Sequence, residues 1–151
     1  VFVKYAPANS ENVDSLLNVA EPQWIPQTPG FEDVMTARKG SKVTVRFSND
    51  NGEHADLVYD GESYVFDRAE SGIIDFSQDF AVSTTAPASP ASEQHLRMFM
   101  DVSSIEMFDG KGWWAMTNLV YPTIPFNKVE VIAENGNCRV KSLKVYDLTQ
   151  N

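Results

Sequence analysis

Three carboxylates lie close together between Leu96 and Pro122, in the stretch LRMFMDVSSIEMFDGKGWWAMTNLVYP. Asp101, Glu106 and Asp109 are followed there by a tryptophan pair. Two carboxyl groups about 5–5.5 Å apart would suit a retaining glycosidase. An exposed indole ring beside fixed hydrogen-bond acceptors would suit the non-covalent binding of a sugar. A well-packed β-hairpin would use the same residues for its core and its turn, so the strands must be placed before the chemistry is assigned.

Strand alternation divides this stretch between a core face and an outer face. Successive side chains of a strand point to opposite faces, and the pattern predicts a buried set that consists of Leu96, Met98, Met100, Ile105 and Met107. Glu106 then lies on the outer face, Asp101 ends a strand, and Asp109 begins an Asp-Gly turn. Trp113 and Trp114 must point in opposite directions. We expect one of them in the core, and Trp113, which is nearer the turn, as the candidate for stacking on a ligand.

The same two-residue period recurs along the chain and predicts an all-β fold. Short β-rich runs such as KVTVRF, SYVFDR and KVEVIAE are separated by turn clusters. Asn51–Gly52, Asp109–Gly110 and Asn135–Gly136 are dipeptides that supply positive φ in hairpin turns. Strands at this spacing predict a two-sheet antiparallel β-sandwich. Residues 83–94, rich in Ser, Ala and Pro, are expected to form an exposed loop.

The N-terminal part of the chain departs from this pattern. Apolar residues recur at helical spacing behind Ser10, a residue suited to a helix N-cap, and Pro22 ends that spacing. We therefore expect a short N-terminal helix within an extension or linker over residues 1–35, followed by the β-sandwich domain over residues 36–151.

Composition excludes several classes of function. The chain has 151 residues, enough for one domain with its own core. Its formal net charge of −9 argues against a nucleic acid or an anionic membrane as partner, because both would repel it. No apolar run approaches the roughly 20 residues of a membrane span, so no membrane insertion is expected. The single cysteine, Cys138, and two well-separated histidines offer neither a disulfide nor a zinc site. We expect no metal and no cofactor.

Several motifs in order resemble a known family. The run LRMFMDVSSIEMF, followed by WWAMTNLVYP and closing on VKSLKVYDL, resembles the C-terminal β-sandwich of glycoside hydrolase family 32, the invertases, inulinases and levanases. The upstream run LVYDGESYVFDRAESG resembles the Tyr-Asp and Asp-Arg-x-x-Ser-Gly segments of that sandwich. The resemblance extends over residues 43–148. The family commonly has Arg after the strand-ending Asp, whereas this chain has Val102.

The resemblance also implies where the family's chemistry resides. Its enzymes carry their nucleophile and acid on a β-propeller catalytic domain, in Asn-Asp-Pro-Asn-Gly, Arg-Asp-Pro and Glu-Cys motifs. None of these motifs occurs in this sequence. The run SNDNGE over residues 48–53 lacks the Pro and lies between two strand patterns, so we expect a hairpin turn there. The chain is not expected to be an enzyme on its own.

Two functions follow from the resemblance. The first is a fructan-binding module, similar to carbohydrate-binding module family 66, that docks terminal fructose units of levan or inulin for a fructan-hydrolysing enzyme. The alternative is an accessory sandwich that packs against and stabilises a β-propeller catalytic domain in the same or a partner chain. Both imply an extracellular or cell-surface protein whose ligand, where it has one, is a fructan or fructo-oligosaccharide.

The candidate ligand-binding side chains number six and are Tyr59, Asp60, Arg68, Asp101, Glu106 and Trp113. Most have a structural alternative. Asp60 and Arg68 would brace adjacent strands as a charge pair, Tyr59 would pack in the core, and Asp101 would stabilise a turn. Tyr121, which precedes a proline, is expected to be a packing anchor.

Overall fold

Strands make up all of the regular structure in the part of the chain that the computed structural model describes, residues 29–37, 40–134 and 138–147. The ten strands of these ranges are β1 (Pro29–Ala37), β2 (Lys42–Ser48), β3 (His54–Tyr59), β4 (Ser63–Asp67), β5 (Thr84–Pro87), β6 (Glu93–Met100), β7 (Ser104–Asp109), β8 (Ala115–Leu119), β9 (Lys128–Glu134) and β10 (Cys138–Asp147). The predicted all-β class is confirmed. No helix in these ranges is long and apolar enough to span a membrane. The expected N-terminal helix and the Asn135–Gly136 turn lie outside the described residues.

The strands form two five-stranded sheets. Sheet I has the order β10-β1-β6-β7-β8, and sheet II has the order β5-β4-β3-β2-β9. Every pairing within them is antiparallel. The predicted two-sheet antiparallel sandwich is therefore confirmed, with one face of each sheet turned towards the other.

Alternating residues of both sheets form one hydrophobic core. Sheet II contributes a buried set that includes Val43, Val45, Phe47, Leu57 and Phe66. Sheet I contributes the set predicted from alternation, since Leu96, Met98, Met100, Ile105 and Met107 are all 5% exposed or less. Burying a side chain of this size stabilises the fold by roughly 1.5–3 kcal/mol. This core is what fixes the positions of the strand ends and of the loops that join them.

Strand β1 begins at Pro29 and is the second strand of sheet I. It pairs with β10 on one side and with β6 on the other, and Gly30 lies opposite both Tyr146 and Phe99. The expected boundary between residues 35 and 36 lies within the range of this strand, which begins at Pro29. The run PGFEDVMTA contains Pro, Gly and two acids, residues that are depleted in strands. The strand forms because hydrogen bonds to two neighbouring strands, β10 and β6, compensate for the low strand propensity of its own residues.

Strand β5 lies within residues 83–94, which the sequence predicts as a loop. Its four residues pair with β4 at the edge of sheet II, and of these only Ala86 is buried. Pro87 is tolerated because an edge strand needs hydrogen bonds on one side alone. The expected loop is therefore wrong for residues 84–87 and for the start of β6 at Glu93. One buried residue in four gives too little alternation to predict a strand.

Two hairpin turns show how the glycines are used. Residues 48–53 form the expected turn between β2 and β3, with Gly52 at φ 83°. Between β7 and β8 the positive φ of 77° is at Gly112, so the expectation that Gly110 supplies it is wrong. Gly110 is needed for another reason. A Cβ there would lie 2.6 Å from the Cβ of His95, so any side chain would collide with β6.

Candidate functional site

Asp60 organises the turn between β3 and β4. Its Oδ1 accepts hydrogen bonds from the backbone N–H groups of Glu62 and Ser63 at 2.9 and 2.7 Å, and its Oδ2 accepts one from the Ser63 hydroxyl at 3.1 Å. The two backbone donors stabilise the ionised form and lower the pKa of Asp60. The carboxylate is exposed, but three local donors already occupy it.

Arg68 follows the end of β4 and contacts a different part of the molecule. Its Nη1 donates to the backbone carbonyl oxygen of Leu119 at 3.1 Å, and its guanidinium carbon lies 4.5 Å from the centroid of the Phe80 ring. Such a cation–π contact contributes about 0.5–1 kcal/mol at an exposed site. Within the described ranges no ion pair joins Arg68 to Asp60, so the expected charge pair does not form. The reason is that the two residues flank opposite ends of β4.

Gly72 attaches the segment after Arg68 to the end of β8. A Cβ at Gly72 would lie 2.4 Å from the carbonyl oxygen of Tyr121 and 2.6 Å from the Cα of Pro122, and its φ is 119°. The N–H of Ile73 donates to the same Tyr121 carbonyl at 2.8 Å. The glycine of the Asp-Arg-x-x-Ser-Gly motif and the Tyr-Pro pair are therefore two halves of one contact. That Gly72 contacts the Tyr121–Pro122 backbone was not predicted from the sequence. The signal for it was the presence of both motifs, Asp-Arg-x-x-Ser-Gly and Tyr-Pro, in the same sequence.

An aromatic cluster, defined as Phe76, Phe80 and Tyr121, covers this contact. The Phe80 and Tyr121 rings are stacked at 5.3 Å between centroids, and Phe76 lies 4.6 Å from Phe80 and 5.6 Å from Tyr121. Arg68 lies over the Phe80 ring. Tyr121 is half-buried, consistent with the predicted packing anchor, whereas Phe76 is 59% exposed. The cluster is thus fixed by its own contacts and presents an aromatic ring to solvent.

Asp101 forms a turn and also lines a small cleft. Its N–H donates to the carbonyl oxygen of Ser104 at 2.9 Å, and its Oδ1 accepts from the N–H of Val102 at 2.7 Å. The cleft is lined by Met100, Asp101, Val102, Pro122, Pro125 and Phe126. The second carboxylate oxygen has no hydrogen bond to the described residues. Asp101 therefore serves the turn and still offers one acceptor to a ligand.

Trp113 is held outward by a well-defined loop between β7 and β8. Asp109 is 5% exposed, and its Oδ2 accepts hydrogen bonds from the N–H groups of Lys111 and Trp113 at 3.0 and 3.1 Å. Trp113 is 62% exposed, whereas Trp114 is 9% exposed and packs 5.0 Å from the ring of Tyr64. The predicted division of the tryptophan pair and the predicted turn role of Asp109 are both confirmed.

Glu106 and Tyr59 occupy opposite environments. Glu106 is half-buried on the outer face of sheet I, opposite Phe99 on β6 and Thr117 on β8. Tyr59 is 4% exposed, and its ring lies 5.0 Å from the ring of Tyr64 inside the core. Glu106 can therefore reach a ligand on the sheet surface, while Tyr59 presents no ring face outside the core.

The accessible candidates are divided between the two ends of the sandwich. Arg68 bonds to Leu119 at the end of β8, which pairs with the start of β7, beside Asp101. Asp60 and Trp113 lie at the other end, where β4 and β8 begin. The length of β7 separates the two groups, and six residues at about 3.3 Å each make this roughly 17–20 Å. Glu106, in the middle of β7, lies between the two groups. The candidates therefore do not form one pocket.

A polar network centred on Glu53, near the end of the sandwich that carries Arg68 and Asp101, was not predicted from the sequence. Glu53 accepts hydrogen bonds from the N–H and hydroxyl of Thr123 at 2.9 and 2.7 Å and from Nδ2 of Asn49 at 2.6 Å. Nδ2 of Asn49 also donates to the carbonyl oxygen of Ile124 at 2.8 Å. Burial raises the pKa of Glu53, but these hydrogen bonds outweigh it and the pKa lies below its ordinary value. Glu53 and Thr123 are 70 residues apart in the sequence, so residue spacing could not predict that they are hydrogen-bonded.

The acidic residues do not converge on a cation site in the part of the chain that is described. No group of three or more His, Cys, Asp or Glu side chains is placed there to hold a metal ion. Asp60, Glu53 and Asp109 instead accept hydrogen bonds from neighbouring N–H or hydroxyl groups. The arrangement supports hydrogen bonding and aromatic contact.

Comparison with protein families gives a match over most of the chain. Residues 32–147 match the model described as "Glycosyl hydrolases family 32 C terminal". The matched range begins within β1 and ends at the last residue of β10, so it coincides with the sandwich.

Individual proteins show the same relationship. A levanase of Bacillus subtilis (strain 168) is 37% identical over 84 residues, which are 54% of this chain and 12% of the levanase. A levanase of Bacillus sp. (strain L7) is 32% identical over 89 residues, 58% of this chain and 10% of that protein. The crystal structure of an exo-inulinase from Aspergillus awamori superposes with a TM-score of 0.69 at 19% identity, and covers 82% of this chain and 25% of its own. The matches thus span about a tenth of each levanase.

Proposed function

The chain belongs to the family of glycosyl hydrolase family 32 C-terminal domains, and from that premise we propose that it is the non-catalytic sandwich of a fructan-hydrolysing enzyme. In this role it packs against the enzyme's catalytic domain, the β-propeller that the resemblance implies, and stabilises it. An enzyme that acts on a polymeric fructan works outside the cell or at its surface, and the domain is placed there with it.

One observation carries this proposal, namely that the residues most typical of the family hold the sandwich together. Asp60 closes a turn, and Arg68 and Gly72 attach a long loop to the end of β8. Such residues fix the shape of the surface and leave few free polar groups to recognise a ligand. This use of the motifs favours a structural role over a binding role.

The test is complex formation in trans. The 151-residue chain would be mixed with the Bacillus subtilis levanase from which the segment matched by this chain has been deleted, once circular dichroism has shown that the shortened levanase is folded. We expect the two to co-elute on size exclusion and the levanase portion to unfold at a higher temperature in the mixture. Separate elution with no change in unfolding temperature would refute the proposal. Release of fructose from levan by the isolated chain would contradict its non-catalytic part.

Fructan binding is the second candidate function, and Trp113 is the observation that favours it. Its indole is 62% exposed on a loop held by a buried carboxylate, so the backbone that carries the ring is already ordered when a sugar stacks on it. In this proposal Trp113 contacts the C–H face of a terminal fructose unit of levan or inulin. Asp101, on its cleft, would form a second and separate contact. The affinity is expected to be modest, because a small polyol offers little apolar area.

Calorimetric titration of the chain with levan, inulin and short fructo-oligosaccharides tests this second function. Binding that is lost in Trp113→Ala and kept in Phe76→Ala, an equally exposed aromatic at the other end, would establish it. A parallel Asp101→Asn variant tests the cleft. The absence of heat with all three ligands would remove fructan binding from consideration and leave the accessory role unaffected.

A further inference from the structure

We infer that one surface of the sandwich, consisting of Ile73, Phe76, Phe80, Val82, Leu119 and Tyr121, is the surface that meets the larger part of a family 32 enzyme. This inference rests on the proposed accessory function and names the face that performs it. These six residues form the docking surface.

The docking surface is apolar and exposed. Ile73 is 51%, Phe76 59%, Val82 59% and Leu119 46% exposed, so four of the seven exposed large hydrophobic residues in the described ranges are on it. A contiguous exposed apolar patch on a soluble domain is typical of an interaction site. Trp113, by contrast, is a single exposed aromatic residue at the other end of the sandwich.

Contacts within the chain place these residues side by side. The N–H of Ile73 bonds to the carbonyl of Tyr121, and Arg68 links the Phe80 ring to the carbonyl of Leu119. Val82 is two residues before Thr84, whose hydroxyl donates to Oδ1 of Asn118 at 2.7 Å. The loop after β4 and the end of β8 therefore form one continuous surface.

The docking surface is also preformed. The Phe80 and Tyr121 rings stack at 5.3 Å between centroids, and Phe76 contacts both. Because Gly72 has no side chain, the loop packs directly against the Tyr121 backbone. A surface that is ordered before binding loses less conformational entropy when a partner covers it. Aromatic residues, Phe and Tyr among them, are enriched at protein interfaces.

Charge around the docking surface argues against a second copy of this chain as the occupant. Glu70, Asp75 and Asp79 are exposed and flank the aromatic residues along the loop. Two copies, each with a formal net charge of −9, would bring these acidic rims together. A partner with an apolar centre and basic groups around it fits the docking surface better.

The lengths of the relatives identify that partner. In the exo-inulinase the matching fold is 25% of the chain, so most of that enzyme is additional protein joined to the sandwich. The family model is likewise a C-terminal part of a longer enzyme. A preformed apolar surface that is uncovered in this chain is thus the natural contact for the preceding part of a family 32 enzyme.

The experiment compares matched variants in the assay with the shortened Bacillus subtilis levanase. Phe76→Ser removes the central exposed ring, and Trp113→Ser removes an equally exposed aromatic residue at the other end. We expect Phe76→Ser to weaken complex formation at least about tenfold, as loss of an aromatic hot spot does, and Trp113→Ser to leave it unchanged. Asp75→Lys should also weaken the complex, and the loss should shrink at high salt.

The outcomes distinguish failure of the docking surface from failure of the accessory function. If the unaltered chain binds and Phe76→Ser binds equally well, the docking surface is wrong while the accessory function stands. If the unaltered chain does not bind at all, the accessory function itself fails. If size exclusion shows that the chain alone is a dimer which Phe76→Ser converts to a monomer, the surface belongs to a second copy and the inference is overturned. Circular dichroism of each variant confirms that the fold is intact.

Discussion

At the scale of single residues, the carboxylates of this protein act mainly as hydrogen-bond acceptors for its own loops. Asp109 is the most buried of those described, and one of its oxygens accepts two backbone N–H groups. A charged acceptor makes stronger hydrogen bonds than a neutral one. The orientation of Trp113 therefore depends on a side chain four residues before it.

Replacement of this acceptor should destabilise the protein. Asp109→Ala leaves two loop N–H groups without their acceptor, and we expect the free energy of unfolding to fall by about 1–3 kcal/mol. Asp109→Asn is the control, because its amide oxygen can still accept both bonds, and its loss should be smaller. Urea unfolding at constant m-value measures both. Equal losses for the two variants would contradict the assigned role.

The hydrogen-bonded carboxylates also predict a pH dependence. The pKa of Asp60 is lowered by the N–H groups of Glu62 and Ser63, and the hydrogen bonds of Glu53 lower its pKa against the effect of burial. A group whose folded pKa is below its unfolded pKa stabilises the fold above the unfolded value, and this stabilisation is lost as the pH falls through the folded value. Stability should therefore decrease on acidification below the ordinary carboxyl range. Asp60→Asn and Glu53→Gln should each flatten the dependence of the urea midpoint on pH, and unchanged slopes would refute this.

Sequence reasoning placed residues by strand alternation but did not find their long-range partners. The opposite directions of Trp113 and Trp114 follow from the two-residue period alone. The partners of Arg68 do not, because Phe80 lies in an irregular loop and Leu119 is 51 residues away. The expected pair joined Arg68 to Asp60, the other charged residue of the family-like motifs, and the length of β4 separates the two.

At the scale of elements, the loop between β4 and β5 is the most informative. It is long and irregular, yet Gly72 and Ile73 attach it to the Tyr121–Pro122 segment. This attachment determines the position of the aromatic cluster. The two family-like motifs are thus explained as the two sides of one backbone contact.

Gly72→Ala should detach this loop. A left-handed conformation costs a residue with a Cβ roughly 1–2 kcal/mol, and at Gly72 the Cβ would also collide with the Tyr121 carbonyl. Gly112→Ala is the matched control, because its φ is also positive but no atom lies within 4 Å of the added Cβ. Thermal unfolding should show a clearly larger loss for Gly72→Ala. Equal losses would mean that the loop can move away without cost.

Elements with strong alternation were predicted, and those without it were missed. Strands β6 and β7 alternate buried residues with more accessible ones along their whole length, and β2 does so except at Thr44, which is also buried. Strand β5 has one buried residue, and β1 begins with Pro and Gly. Both form because neighbouring strands supply hydrogen bonds, which a local pattern does not encode.

At the scale of the whole molecule, the two sheets share one core and should unfold together. Leu57 on β3 and Met107 on β7 are 1% and 0% exposed and represent sheets II and I. We expect Leu57→Ala and Met107→Ala each to lower the free energy of unfolding by about 2–5 kcal/mol. Both variants should unfold in a single transition that has the same midpoint by fluorescence and far-UV circular dichroism. Separate midpoints would show that the sheets are independent.

The pairing of β1 with β10 has a kinetic consequence. Pro29 lies opposite Asp147, a sequence separation of 147 − 29 = 118 residues, and β2 pairs with β9 over a similarly long interval. Contacts of such high order are slow to form, because a large loop must close before they stabilise the chain. Refolding is therefore expected on a timescale of roughly milliseconds to seconds. Until β10 and β9 pair, the edges of β1 and β2 are open to pairing with other chains, so the refolding yield should fall as protein concentration rises.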